Sequence, residues 1–424
     1  MLKTQTLADG VTLRCFYDNR FKQGSLSFQL VRPMCEAEAA LNALLPTVLL
    51  RGSRNHPDLR AISLRSDDLY GLSVGTMVRR VGDYQTTGLG CGVMDDRFAL
   101  PGDKVLEPSL AFLWELLLEP ALEDGAFRAD FVESEKKNLL ATLAANRNDK
   151  AAYAMSSLMG AMGRGDSLGI PRLGKPEWVA AITPQSLYDH YRKILRESAI
   201  HIFYVGSAPA WQVAAMLRPV IDGLDRDYSP LPGQTPFHDA GGRDLAERMD
   251  VAQAKLCMGY VTPITNTSPE FHAMQVMNTI FGAGMTSKLF MNVREKLSLC
   301  YSIGTSYYGS KGVVTLSAGI DAADEEKAKA EIAVQLDAIC RGDITDDEMA
   351  AAKEALISSL RGTHDSPGSI EGYYATAALS GLALTPAEYM ERIAAVTRDQ
   401  VAAAARQLRP HTTYILKGTD HGEI

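Results

Sequence analysis

The chain has 424 residues, of which 46% are hydrophobic and 22% charged, and its formal net charge is −8. That is the composition of a water-soluble globular protein too long for one hydrophobic core, so two or more domains are expected. The acidic balance argues against a nucleic-acid partner, which would require a basic face.

The first ten residues hold no apolar run of signal-peptide length, and the longest apolar stretch, Ala39 to Leu50, is interrupted by Asn42, Pro46 and Thr47. No membrane span is expected, and a cytoplasmic location follows as the plain expectation. The six cysteines form no CxxC pair, so buried reduced thiols are expected rather than a zinc ribbon or a disulfide framework.

In chain order, Leu26-Ser-Phe-Gln-Leu30 alternates as a strand and is followed by a helical run from Glu36 to Leu50 that ends at Arg51-Gly52-Ser53. Glu36 and Glu38 sit where first-turn acids belong. Pro46 should kink this helix or open a shorter one, Pro46 to Arg51. Short strands are expected at Ser73–Arg80 and Gln85–Val93. A helix opens behind Thr183 and leads to a strand ending at Gly206. Residues 225–243, with Pro230, Pro232, Gly233, Pro236, Gly241 and Gly242, read as a linker.

Beyond the linker the order recurs. Gln253-Ala-Lys-Leu256 opens a strand 230 residues after Gln23-Gly-Ser-Leu26, and a helix from Pro269 to Phe281 ends at Gly282-Ala-Gly284. Leu299-Cys-Tyr-Ser-Ile-Gly304 lines up with Leu69-Tyr-Gly-Leu-Ser-Val-Gly75. Strands at Ser302–Tyr308 and Val313–Ile320 follow. Helices open at Asp324-Glu325-Glu326, at Thr345 and behind Thr397, and a last strand ends at Gly418. The chain is thus an internal repeat. The expected fold is α+β: two homologous halves, each a mainly antiparallel sheet with helices packed on one face, at 1–224 and 244–424, joined by the linker 225–243.

Between the Gly282-Ala-Gly284 turn and the strand from Ser302 lies Arg294-Glu-Lys-Leu-Ser-Leu-Cys-Tyr301-Ser302. A nucleotide loop is not expected at the turn, because a helix precedes it and no further glycine follows at the required spacing. The Arg-Glu-Lys-Leu-x-Leu-x-Tyr-Ser pattern, with two α+β halves of this size, resembles the insulinase/pitrilysin-like zinc metallopeptidases. The likeness is to their short two-domain bacterial branch and covers essentially the whole chain. The terminal Tyr-Ile-Leu-Lys-Gly418 and Leu69-Tyr70-Gly71 look most like a non-catalytic subgroup associated with 5-aminopentanol modification of elongation factor P.

The resemblance implies a LuxS/metallopeptidase-like fold in each half. It also implies a His-x-x-Glu-His motif on the first-half helix, with paired histidines binding zinc and the Glu acting as general base. Those positions fall on Ala43, Pro46 and Thr47. A further ligand, seven residues after an acid taken as Glu135, falls on Thr142. Three ligands and the base are therefore replaced. Of the eight histidines (His56, His190, His201, His238, His272, His364, His411 and His421), no two have the helical spacing of zinc ligands.

What the resemblance leaves is the second-half pair. Arg294 and Tyr301 fall where members of the family bind the substrate peptide and steady the reacting carbonyl. On an isolated helix and strand they would read as a solvated arginine and a half-buried tyrosine.

The expectation is a non-catalytic subunit of a heterodimeric zinc peptidase, with no catalytic residue and no cofactor of its own. Zinc is expected only in a similar-sized partner carrying His-x-x-Glu-His. The two chains would share a chamber for peptide or unfolded protein. The alternatives are a peptide-binding or assembly factor without peptidase involvement, for which a homodimer is one form, and a peptidase with relocated ligands.

Overall fold

The structure is a computed structural model that describes residues 2–238 and 241–419; His421 lies outside them. Two compact units result. The first comprises Met1–Leu143, Pro171–Gly233 and His364–Leu379, and the second comprises Ala144–Ile170, Gln234–Thr363 and Ser380–Ile424. The contiguous halves 1–224 and 244–424 therefore do not coincide with the units, since each gives up one segment that packs with the other half's sheet.

The first unit is built on strands β1 (Leu2–Ala8), β2 (Val11–Tyr17), β3 (Gln23–Pro33), β4 (Ser73–Val81), β5 (Tyr84–Met94) and β6 (Ala199–Gly206). Their order is β1-β2-β6-β3-β5-β4, with only β2 and β6 parallel. Strand alternation splits the side chains between two faces. Leu26, Phe28 and Leu30 of β3 and Ile200, Ile202 and Tyr204 of β6 join Leu44, Leu45 and Val48 of helix Glu36–Leu49 in the main core. Each such buried side chain stabilises the fold by about 1.5–3 kcal/mol. On the opposite face, Phe203 and Val205 meet Ile370, Tyr374 and Ala375 of helix Pro367–Ser380.

Helix Glu36–Leu49 runs straight through Pro46, so the expected shorter helix from Pro46 is corrected. A proline removes the N–H that would bond the carbonyl four residues back. Here that carbonyl, Asn42 O, accepts a hydrogen bond from the Thr87 hydroxyl at 2.6 Å. The sheet repairs the helix.

The second unit has β7 (Arg243–Met249), β8 (Ala254–Val261), β9 (Ser302–Tyr308), β10 (Val313–Ile320) and β11 (Arg409–Gly418), ordered β9-β10-β8-β11-β7 with only β11 and β7 parallel. This is the order and sense of β4-β5-β3-β6-β2 in the first unit, so the repeat extends to topology. Leu256, Leu316 and Ile415 pack with Met274, Met277 and Phe281 of helix Phe271–Phe281 and with Ile332 and Ile339 of helix Glu325–Arg341. The other face carries Cys257, Tyr414 and Leu416, covered by Ala154 and Leu158 of helix Lys150–Met162.

The α+β architecture with mainly antiparallel sheets is as expected. The detail that helices lie on one face is corrected, because one further helix covers the second face of each sheet. Threonine openings at Thr183, Thr345 and Thr397 are all capping boxes, which satisfy otherwise unpaired helix N–H groups. No helix among the described residues is long and apolar enough to cross a membrane.

Candidate functional site

The second-half element starts where helix Phe271–Phe281 stops. Asn278 O accepts from both Gly282 N (3.0 Å) and Ala283 N (3.1 Å), which closes the last turn. A Cβ on Gly282 would lie 2.6 Å from Thr305 Cγ2 and 2.9 Å from Leu289 Cδ1. Only glycine allows this approach, and it lets Gly282 O accept from Thr305 N of β9 at 3.1 Å.

Residues Leu289–Lys296 then wind as a π-helix, closed by Leu297 N donating to Asn292 O, five residues back, at 3.1 Å. Such turns are rare and concentrate at functional sites. The wider turn places Leu289 and Val293 together in the core, both fully buried. Buried Lys288 pairs with Glu348 at 2.8 Å, and Asn292 Nδ2 donates to Gln335 Oε1 at 2.9 Å. These contacts hold the π-helix against its neighbours.

Ser298 takes a left-handed conformation, φ +53°, that reverses the chain after the π-helix. Tyr301 N then joins the sheet by donating to Gly319 O at 2.8 Å. Non-glycine residues rarely adopt this conformation, and such strain clusters at functional sites.

Arg294 lies with its guanidinium 4.5 Å from the centre of the Phe290 ring, a cation–π geometry. Its one ionic neighbour among the described residues is Glu295, at 3.6 Å from Nε. Tyr301 is 56% exposed, and its hydroxyl is 3.4 Å from both carboxylate oxygens of Asp321, the outer limit of a hydrogen bond. Between them lies Cys300. Burial pushes its thiol up to about 11, and the nearby charge of Arg294 works in the opposite direction. Arg294 therefore presents guanidinium donors that no described residue accepts, and Tyr301 an exposed hydroxyl held only by a long contact to Asp321.

Phe290 also forms part of the wall of an open groove of about 420 Å³. Met155 and the Gly282–Met285 turn line its sides, and Gly304, Ser306, Thr315 and Ser317 of β9 and β10 line its floor. The floor is small and polar, the rim apolar. Sequence reasoning singled out the arginine but not Phe290, four residues earlier in the same π-helix, nor Met155, which arrives from the first half of the chain.

In the first unit, Ala43 and Pro46 are buried, and the Thr47 hydroxyl is spent on Leu44 O at 2.8 Å. Thr142, on helix Ala129–Asn148, is exposed and bonds its own helix at Asn138 O, 3.0 Å. Glu135 is buried and engaged by Arg51 (3.4 Å) and Asn138 (3.2 Å). Asn42, fully buried one residue before Ala43, donates to Gln85 Oε1 at 2.9 Å and meets His190 Nε2 at 2.8 Å. Burial lowers the pKa of His190 to about 4, keeping the imidazole neutral. Alanine, proline and two spent hydroxyls do not fit a zinc ion. Among the described residues no group of three or more His, Cys, Asp or Glu side chains could hold a metal.

Residues 181–356 match the family described as "Peptidase M16 inactive domain". The chain is 29% identical over 411 residues to the "Probable inactive metalloprotease YmfF" of Bacillus subtilis, covering 97% of this chain and 96% of that protein. It is 25% identical to an "uncharacterized zinc protease" of Streptomyces coelicolor over 72% of this chain and 68% of the other. Among solved structures, a conserved protein from Enterococcus faecalis superposes with a TM-score of 0.92 at 27% identity over all of both chains. A peptidase M16 inactive domain from Pseudomonas fluorescens shares the fold over all of both chains, with a TM-score of 0.78 at 18% identity.

Proposed function

We propose that this chain, which matches the peptidase M16 inactive domain over residues 181–356 and is similar over 97% of its length to a probable inactive metalloprotease, is the non-catalytic subunit of a two-chain zinc peptidase. It binds an extended or unfolded peptide in the groove beside Phe290 and lends Arg294 and Tyr301 to a partner that carries His-x-x-Glu-His. The observation that carries this reading is Arg294, held over Phe290 at a groove wall with its hydrogen-bond donors unspent.

The chemistry of the two side chains suits the role. A guanidinium offers a rigid fork of donors to a peptide carbonyl. A phenol O–H can donate to oxygen that gains negative charge as the carbonyl is attacked. Water activation belongs to the partner, because Ala43, Pro46, Thr47 and Thr142 supply neither ligand nor base.

The test is reconstitution. The isolated chain should bind no stoichiometric zinc and cleave no peptide. Mixed with the homologue carrying His-x-x-Glu-His that co-purifies with it, it should raise peptide cleavage well above that of the homologue alone. Peptide binding with no stimulation of any such homologue would favour an assembly factor instead.

A further inference from the structure

We propose that the outer edge of β1 and the exposed stripe of helix Ala210–Asp222 form a homodimer interface, through which two copies of this chain join their six-stranded sheets. The proposal concerns the first unit and does not rest on the peptidase reading.

The edge is open in a definite phase. Gly10 O accepts from Ile200 N, and Asp18 N donates to Gly206 O, so even-numbered residues of β2 direct their backbone groups toward β6. Odd-numbered residues of β2 therefore face β1, where Leu13 opposes Gln5 and Cys15 opposes Lys3. Gln5 and Lys3 spend their backbone groups inward, and the N–H and C=O of Thr4 and Thr6 point out of the sheet. No described residue bonds to them. Edge strands are usually guarded by proline, several charges or a cover. This seven-residue strand has one lysine, no proline, and a single irregularity at its far end.

The helix selects the occupant. Helix Ala210–Asp222 packs on both β1 and β2, so its axis lies near the line between them. Trp211, Ala215, Arg218 and Asp222 recur at helical spacing on its exposed side and, with Gln5 and Thr6, line an open groove of about 730 Å³ at the sheet edge. Trp211 is 69% exposed, far more than a tryptophan usually shows.

Let a second β1 pair antiparallel with the first across a two-fold axis. With strands about 4.8 Å apart, the two helices then lie about 10 Å apart, the spacing at which helices pack. Antiparallel helices bring Trp211 of one copy toward the Pro219–Asp222 end of the other, and each Arg218 stem over Ala215. A two-fold centred on Thr4 or Gln5 never sets Lys3 against its own copy. A lone foreign strand would fill the sheet edge but leave Trp211 uncovered.

Sedimentation equilibrium on the isolated full chain tests this. The expected species at about 10 μM has twice the 46.0 kDa chain mass. Thr4→Pro removes one outward N–H and leaves the inward ladder intact, a change edge strands tolerate; it should give a monomer with an unchanged circular dichroism spectrum. Trp211→Ala, which does not touch the strand, should weaken self-association at least tenfold, and Arg294→Ala should leave it unchanged. A monomer at 50 μM, or a dimer unmoved by Trp211→Ala, overturns the proposal whether or not Thr4→Pro folds.

Discussion

Arg79 of β4 and Glu371 of helix Pro367–Ser380 meet in a two-point ion pair, with Nη1–Oε1 at 3.0 Å and Nη2–Oε2 at 2.8 Å, across 292 residues of sequence. The same carboxylate accepts from Ser27 Oγ at 2.9 Å and from Gln29 Nε2 at 2.5 Å, and it is 3% exposed. Every partner lies on the face of the first sheet opposite its main core. Glu371 thus holds a second-half helix on a first-half sheet. Removing one partner of a buried pair leaves the others desolvated and unpaired, a cost of about 3–5 kcal/mol. Glu371→Ala should lose that much in urea unfolding. A loss under 1 kcal/mol would mean that apolar packing by Ile370 and Tyr374 suffices.

Arg294→Ala should leave stability nearly unchanged, because Arg294 anchors nothing in the fold. In the reconstituted peptidase it should lower kcat/KM by about 10- to 100-fold, the loss of a charge-assisted hydrogen bond worth about 1.5–3 kcal/mol. Tyr301→Phe should lower kcat more than it raises KM if the hydroxyl acts on the reacting carbonyl. Unchanged kinetics in both variants would remove these residues from the site.

Gly282→Ala tests how the element is positioned. Its Cβ would press on Thr305 and Leu289, the contacts that set the start of the π-helix. A loss of about 1–3 kcal/mol is expected from overpacking. Reduced stimulation of the partner should accompany it with Arg294 and Tyr301 still present, whereas normal stimulation would show that the turn does not set their geometry.

Acid should weaken the first unit in two steps. The folded pKa of His190 is about 4, against 6.5 in the unfolded chain. Its contribution is complete above pH 6.5 and is lost as the pH falls from there toward 4, about 3 kcal/mol in all. Glu38, buried but hydrogen-bonded by Arg32 and Lys193, is held at about 2 against 4.5. Its contribution is present above pH 4.5 and is lost between 4.5 and 2. His190→Gln keeps a donor for Asn42 but does not titrate, so it should flatten urea midpoints between pH 7 and 4.5. Burial also lowers His201, to about 3, which leaves a residual slope. An unaltered slope would place the titration elsewhere.

Thr87→Val should cost about 1–3 kcal/mol by leaving Asn42 O without its donor. In a Pro46→Ala background, where the helix can supply its own N–H, the same change should cost markedly less. Equal costs in the two backgrounds would show that Thr87 does not compensate the proline.

Strand boundaries, capping threonines and the repeat were legible because each rests on local chemistry: period-two alternation, hydroxyl caps and glycine turns. The reading of Ala43 and Pro46 rests on side-chain type alone, since neither alanine nor proline offers a metal ligand in any fold. Pro46 was misread because its remedy, Thr87, sits on another element. The linear halves missed the composition of the units because helices Lys150–Met162 and Pro367–Ser380 look like any others in sequence. The π-helix was missed because Leu289–Lys296 satisfies an ordinary helical pattern as well.

The sequence by itself determined the two-copy α+β plan, and it singled out Arg294 and Tyr301 as the pair to test. These follow from side-chain type and short-range order. Only the tertiary structure decided which helix covers which sheet, that Glu371 ties residues near positions 27, 29 and 79 together, that Phe290 and Met155 share a groove wall, and that β1 is an open edge beside an exposed tryptophan. Those features depend on contacts between segments far apart in the chain, where packing and buried hydrogen bonding, not local propensity, select the partner.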